Sequence, residues 1–323
     1  MTCRIFAALS ALAILPLLST NALAQTSSAA KNPKPASGIW TPPRTPDGQP
    51  DLQGNWTNST VTPLQRPADL AGKEFFTEDE ASAFEKKRAP ANNQDFFWTD
   101  NIHGVKSRRT SIVIDPPDGH IPPMTPEAQK KFDDAHAWNR LHPADGPEDR
   151  SLTERCILFG LAGPPMLPEP YNSNYQIVQT PGYVMIMAEM VHDVRVIPLD
   201  GRPHLPANVR QWKGDSRGHW EGNTLVVDTT NFAFNDHSRF GVGFDGMSDE
   251  NFHVIERFTR TDAETITYRA TVEDPTVYTK RITFELSMTK RSEPLFEYAC
   301  HEGNEGMFGI LSGARFDEKQ ETK

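Results

Sequence analysis

Residues 265–272, TITYRATV, and 281–288, RITFELSM, decide the fold class. In the first stretch Ile266, Tyr268, Ala270 and Val272 fall on one side, and Thr265, Thr267, Arg269 and Thr271 on the other. In the second, Ile282, Phe284, Leu286 and Met288 share a side. A period of two with one polar face is the pattern of a half-solvated antiparallel sheet. Outward from this pair, strands are predicted at about 175–179, 183–189, 193–197, 223–229, 252–260, 264–272, 280–288 and 295–300. Turns such as Pro181-Gly182, Asp200-Gly201 and Glu221-Gly222-Asn223 suit sequential hairpins. The expectation is a mainly β fold: an antiparallel meander over 151–316, forming a barrel-like (lipocalin- or calycin-like) domain or a sandwich. The barrel is preferred because closure removes exposed strand edges.

The region before it, 46–150, reads as a loop-rich extension carrying two short helices. Thr77 and Glu80 form a capping box with Phe76 at the staple position, predicting a helix over 77–88. Thr125 as N-cap and Pro126 at the first helical position predict another over 125–141. Ser111 to Ile114 is β-prone. The 27 prolines predict long ordered loops. Residues 25–45, rich in Ser, Ala and Pro, read as a flexible leader, and 317–323 as a disordered tail.

The first 24 residues carry one charge, Arg4, then an apolar stretch from Ile5 to Leu18 and the triplet Ala22-Leu23-Ala24. This is the pattern of a signal peptide cleaved after Ala24, which predicts a periplasmic or secreted protein. No later segment approaches the roughly 20 apolar residues of a membrane-spanning helix. Loss of Arg4 takes the formal charge from −10 to −11, and such an acidic chain repels nucleic acid and anionic membranes. After cleavage Cys156 and Cys300 remain. In an oxidising compartment they most simply form one disulfide; two separate buried thiols are the alternative.

Several strings resemble a widespread bacterial family of secreted proteins. They are PDGQPDLQGNW (46–56), IDPPDGHIPPMTPEAQ (114–129), RVIPLDGRPH (195–204), GDSRGHWEGNTLVVDTTNF (214–232), HVIERFTR (253–260), VEDP (272–275) and EYACHEGN (297–304). The resemblance spans nearly the whole mature chain. It implies one continuous unit and an exported location, and brings no activity, cofactor or catalytic residue with it.

Chemistry must then be sought residue by residue. The chain lacks a P-loop, an HExxH and a CxxC, and its G-x-S-x-G string at 214–218 does not sit between a strand and a helix as a nucleophile elbow would. Ser216, in Gly-Asp-Ser-Arg-Gly, reads as part of a polar turn. Glu256, between Val254 and Phe258 on a strand, is an acid in an apolar wall. It suits a general acid or base, or an ion pair with an arginine such as Arg195 or Arg269. Alternation puts His253 on the opposite face from Glu256. His301 and Glu302 follow Cys300, where a disulfide would hold them rigidly. Glu256 and His301 are therefore the candidate catalytic pair. His192, Asp215, Arg217, Trp220 and Glu302 are candidate ligand-binding residues. Asp215 with Arg217 and Asp228 with Asn231 equally suit turn capping. No metal site is predicted, since His192, His204 and His301 lack tight ligand spacing, and no cofactor is predicted. The leading expectation is an exported β-barrel that binds a small organic molecule, with possible acid–base chemistry of the lyase, hydratase, isomerase or hydrolase kind. One alternative is a non-catalytic envelope carrier or protein-binding scaffold whose protein partner the sequence does not identify. Another is a carbohydrate-binding module using Trp56, Trp98, Trp212 and Trp220.

Overall fold

The computed structural model describes residues 40–88, 107–159, 163–169, 172–233 and 251–321. The predicted signal peptide, most of the leader and Trp98 lie outside these. The strands are β1 (Gly54–Thr57), β2 (Val113–Asp115), β3 (Asn174–Thr180), β4 (Tyr183–Ala188), β5 (Val194–Pro198), β6 (Asp215–Glu221), β7 (Thr224–Thr230), β8 (His253–Asp262), β9 (Thr265–Glu273) and β10 (Ile282–Arg291). They form one antiparallel sheet in the order β5-β4-β3-β1-β10-β9-β8-β7-β6, with β2 added to β10. The sheet curls into a nearly closed barrel of the predicted mainly β class. The helices are α1 (Glu78–Arg88), α2 (Pro126–Leu141) and α3 (Glu305–Glu321). Both predicted helix starts are present. Thr77 and Glu80 exchange side-chain bonds with each other's backbone N–H, and Thr125 accepts from Ala128 N–H. No described helix is long and apolar enough to cross a membrane.

Alternation builds the barrel as expected. Tyr268 pairs with Leu286 and Phe258 with Tyr268 across β10, β9 and β8. Phe258 and Tyr268, with Trp56, Tyr175 and Phe284, are wholly buried. Each large apolar side chain so buried contributes roughly 1.5–3 kcal/mol.

Four expectations need correction. The boundary at 150/151 does not divide the sheet, because β1 and β2 come from the stretch read as an extension and both pair with β10. Residues 214–218 are not a turn. Asp215 opens β6, and Ser216 points inward to bond Thr229 at 3.0 Å. Residues 295–300 form no strand, since no neighbouring strand offers them a ladder. Most of the expected disordered tail belongs to α3, which runs to Glu321.

The two ends of the strand order, β5 and β6, meet at a seam without a backbone ladder. Side chains close it. A Cβ on Gly218 of β6 would stand 2.7 Å from Leu199 and 2.8 Å from Ile197, so only glycine permits this approach. On the rim Lys213 donates to Asp193 at 2.6 Å and to the Val194 carbonyl at 3.3 Å.

Cys156 and Cys300 form the expected disulfide, with Cα atoms 5.8 Å apart and a sequence separation of 144. It ties the turn before the barrel's 163–169 segment to the chain leaving β10. Closing so long a loop removes about 5 kcal/mol of unfolded-state entropy in the chain-entropy model, with measured gains nearer 2–4. Reduction, or the Cys156→Ser/Cys300→Ser variant, should lower the denaturant midpoint by a corresponding amount. Identical midpoints with and without reductant would show that the bridge constrains nothing.

Candidate functional site

Two polar clusters stand out, one inside the barrel and one on its wall. The inner cluster centres on Glu256 of β8, which is 0% exposed, and Arg195 of β5, 4% exposed. The Arg195 guanidinium grips the carboxylate with two bonds, Nη1 to Oε2 at 2.8 Å and Nη2 to Oε1 at 3.0 Å. The Tyr268 hydroxyl donates to Oε1 at 2.8 Å and accepts from Met166 N–H at 2.8 Å. Arg195 Nη2 also lies 3.4 Å from Met166 Sδ. Asn58 donates to the Met166 carbonyl at 3.0 Å and to the Tyr175 hydroxyl at 3.1 Å. Burial works against the charge on Arg195, but the charge and hydrogen bonds of Glu256 outweigh it and hold the guanidinium protonated. Burial, then the neighbouring Glu256 charge, pushes the Tyr268 hydroxyl far above its ordinary range.

Of the two roles open to Glu256 in the sequence, the geometry matches the ion pair, and with Arg195. Arg269 lies on the opposite face and pairs with Glu285. The structure does not bring Glu256 and His301 together. Glu256 is sealed in the interior with both oxygens bonded, whereas His301 is exposed in the turn after Cys300. Glu302 is exposed beside it, and His192 is exposed in the turn between β4 and β5. Trp220 packs at the edge of the core. Trp56 is fully buried and donates its indole N–H to the Leu52 carbonyl, so it cannot serve the sugar-binding set of tryptophans read from the sequence.

The outer cluster contains the rest. Asp215 and Arg217 do meet, with Arg217 Nη1 donating to Oδ1 at 2.6 Å. His204, from the loop between β5 and β6, places Nδ1 3.0 Å from Asp215 and Nε2 2.9 Å from Asp228 of β7. The other oxygen of Asp228 lies 3.0 Å from His253 Nε2 on β8, and His253 Nδ1 is 3.7 Å from Glu273 of β9. The result is a continuous line, Arg217–Asp215–His204–Asp228–His253–Glu273, laid across four strands. It pins the loop to the wall. Asp215 also accepts from Leu205 N–H at 2.9 Å, and the Asn231 side chain donates to the Leu205, Pro206 and Val209 carbonyls. The capping expected of Asp215 and Asn231 is thus realised. Both nitrogens of His204 and the Nε2 of His253 are engaged by carboxylates. Among the described residues no group of three or more His, Cys, Asp or Glu is arranged to hold a metal ion.

No family model matches the chain, and no curated protein does. Among solved structures the chain aligns with a mutant of the fluorescent protein UnaG, at 14% identity and a TM-score of 0.22. The alignment covers 37% of this chain and 72% of that one.

The inner pair should behave as a buried charge couple. Replacing Glu256 by Gln leaves a buried guanidinium without its counter-charge and should cost about 3–5 kcal/mol in stability. Adding Arg195→Met should recover much of that loss, because the orphaned charge is then gone. A double variant no more stable than Glu256→Gln alone would contradict the charge-couple account.

The outer line should respond to pH. The Asp228 hydrogen bond, then its charge, raises His253 above its ordinary 6.5. Burial pushes Asp228 up, but the bonds and charges of His253 and His204 outweigh it and hold it below 3.8. The stability from His253 is therefore complete below pH 6.5 and is lost as pH rises through the raised value. That from Asp228 is present above 3.8 and is lost as pH falls through the depressed value. His253→Gln should destabilise most near pH 5, roughly midway between these limits, and progressively less above neutrality. Parallel melting profiles for wild type and variant would refute this.

Proposed function

We propose that the protein is an exported, non-catalytic small-molecule carrier whose ligand enters the barrel in place of the segment around Met166. The observation that carries this reading is the way Met166 occupies the lumen. It is completely buried, its thioether lies on Arg195, and Tyr268 and Asn58 hold its backbone. Barrels of about this size hold one small ligand. Methionine is a pliable filler that repacks at low cost. Displacing it would free an Arg195 donor, the Tyr268 hydroxyl and an amide among aromatic walls. That lining suits a flat, largely apolar molecule carrying one polar group. An acid–base role is disfavoured, because Arg195 and Tyr268 already engage both oxygens of Glu256. Export is supported by the leader pattern and by the disulfide, which needs an oxidising compartment.

Wild-type protein, expressed with its leader and recovered from the periplasm beginning at Gln25, should show saturable thermal shifts with a panel of indoles, phenols and aromatic acids. Fluorescence of the buried Trp56 should report the same binding. Met166→Ala should lower the melting temperature by a cavity effect of about 2–5 kcal/mol and tighten binding of the same compounds. If the wild type binds none of them, the carrier reading falls even where Met166→Ala binds, since a carved cavity accepts small aromatics unaided.

A further inference from the structure

The last helix presents a face that no described residue covers. On its inner side Met307, Ile310 and Ala314 are half-buried, and Arg315 donates to the Ala144 and Asp145 carbonyls. The opposite side is open. Phe308 is 74% exposed and Phe316 62%. Between them lie Gly309, Ser312 and Gly313, and a Cβ on either glycine would meet nothing within 4 Å. Two phenylalanines left in water on one helix are more than scattered surface apolarity.

At 3.6 residues per turn, Glu305, Phe308, Ser312, Phe316 and Lys319 fall on a single stripe centred on Ser312. The stripe is symmetric in its chemistry. Phe308 and Phe316 stand four positions either side of Ser312, and Glu305 and Lys319 seven positions either side. We infer that α3 is a self-association surface, pairing antiparallel with α3 of a second copy about a two-fold axis through Ser312. In that register each Phe308 packs on the partner copy's Phe316, and each Glu305 meets a Lys319 of opposite charge. Gly309, Ser312 and Gly313 let the backbones approach at the crossing. The interface is isologous and closed, and it stops at two copies. One pair of 17-residue helices buries less than the roughly 1,200 Å² of a standard interface, so the dimer is weak and concentration-dependent. An anionic lipid surface is the poorer occupant, because the chain is acidic and its helix stripe carries no excess of positive charge.

Sedimentation equilibrium on the full mature protein tests the register as well as the contact. Wild type should shift from monomer toward dimer as concentration rises. Phe308→Glu should abolish the shift while leaving the circular dichroism spectrum intact. Glu305→Lys alone and Lys319→Glu alone should each weaken self-association at least several-fold, because each places like charges opposite one another twice. Mixing these two variants should restore a dimer, now a heterodimer with both charge pairs satisfied. The proposal is overturned if wild type stays monomeric throughout. It is equally overturned if the dimer ignores these substitutions, or if the two phenylalanines mediate pelleting with lipid vesicles while the protein remains monomeric.

Discussion

The bidentate bond between Arg195 and Glu256 is the constraint on which the rest of the barrel depends. β5 and β6 close the barrel without a ladder, so β5 is held to its sheet along one edge only. The ion pair reaches from β5 through the interior to β8 and supplies a cross-link that hydrogen bonding at the seam does not. It also dictates which way β5 faces. Arg195 and Ile197 point inward, and Val194 and Val196 are left in solvent. A strand whose arginine is inside and whose valines are outside contradicts hydrophobic order, and only a matching buried carboxylate makes it tenable. Tyr268 bonds the carboxylate and Met166 lies against the guanidinium, so a single charge couple organises strands β5, β8 and β9 and the 163–169 segment.

The legible parts of the fold are those where one sheet face is wet. β8 and β9 alternate cleanly because their outer faces carry Thr and Arg toward solvent, and β10 keeps the alternation with Thr283 and Glu285 outside even though both are covered. β6 was hidden because its inward residues are Ser216, Gly218 and Trp220, two of them small or polar, so its alternation carries no apolar signal. β1 is four residues long and sits among turn formers. The stretch 295–300 has strand composition, but composition does not supply a neighbour. The last helix was obscured by its charged C-terminal half and its glycines.

For the sites, alternation separated His253 from Glu256, and Arg195 was one of two arginines offered as an ion-pair partner of Glu256. It did not reveal the line through His204 and Asp228, because His204 lies in a loop and meets residues 11 and 24 positions away. No local periodicity encodes such a contact. Cys300 drew attention to His301 through rigidity, yet a rigid position on the surface is still on the surface. Rigidity is necessary for a site, but it needs enclosure as well.

The position of β1 has a bearing on when this chain becomes a folded object. β1 is near the start of the described chain, yet it lies between β3 and β10, and Asn55 bonds Glu293 across 238 residues. The wall cannot be completed until the last strand has been made. A chain emerging from a ribosome therefore carries β3 to β9 with one side of the sheet unfinished for most of its synthesis. Such long-range pairing folds slowly. A late-closing topology keeps the chain unfolded for longer, and it postpones the moment at which Cys156 and Cys300 are brought within bonding distance.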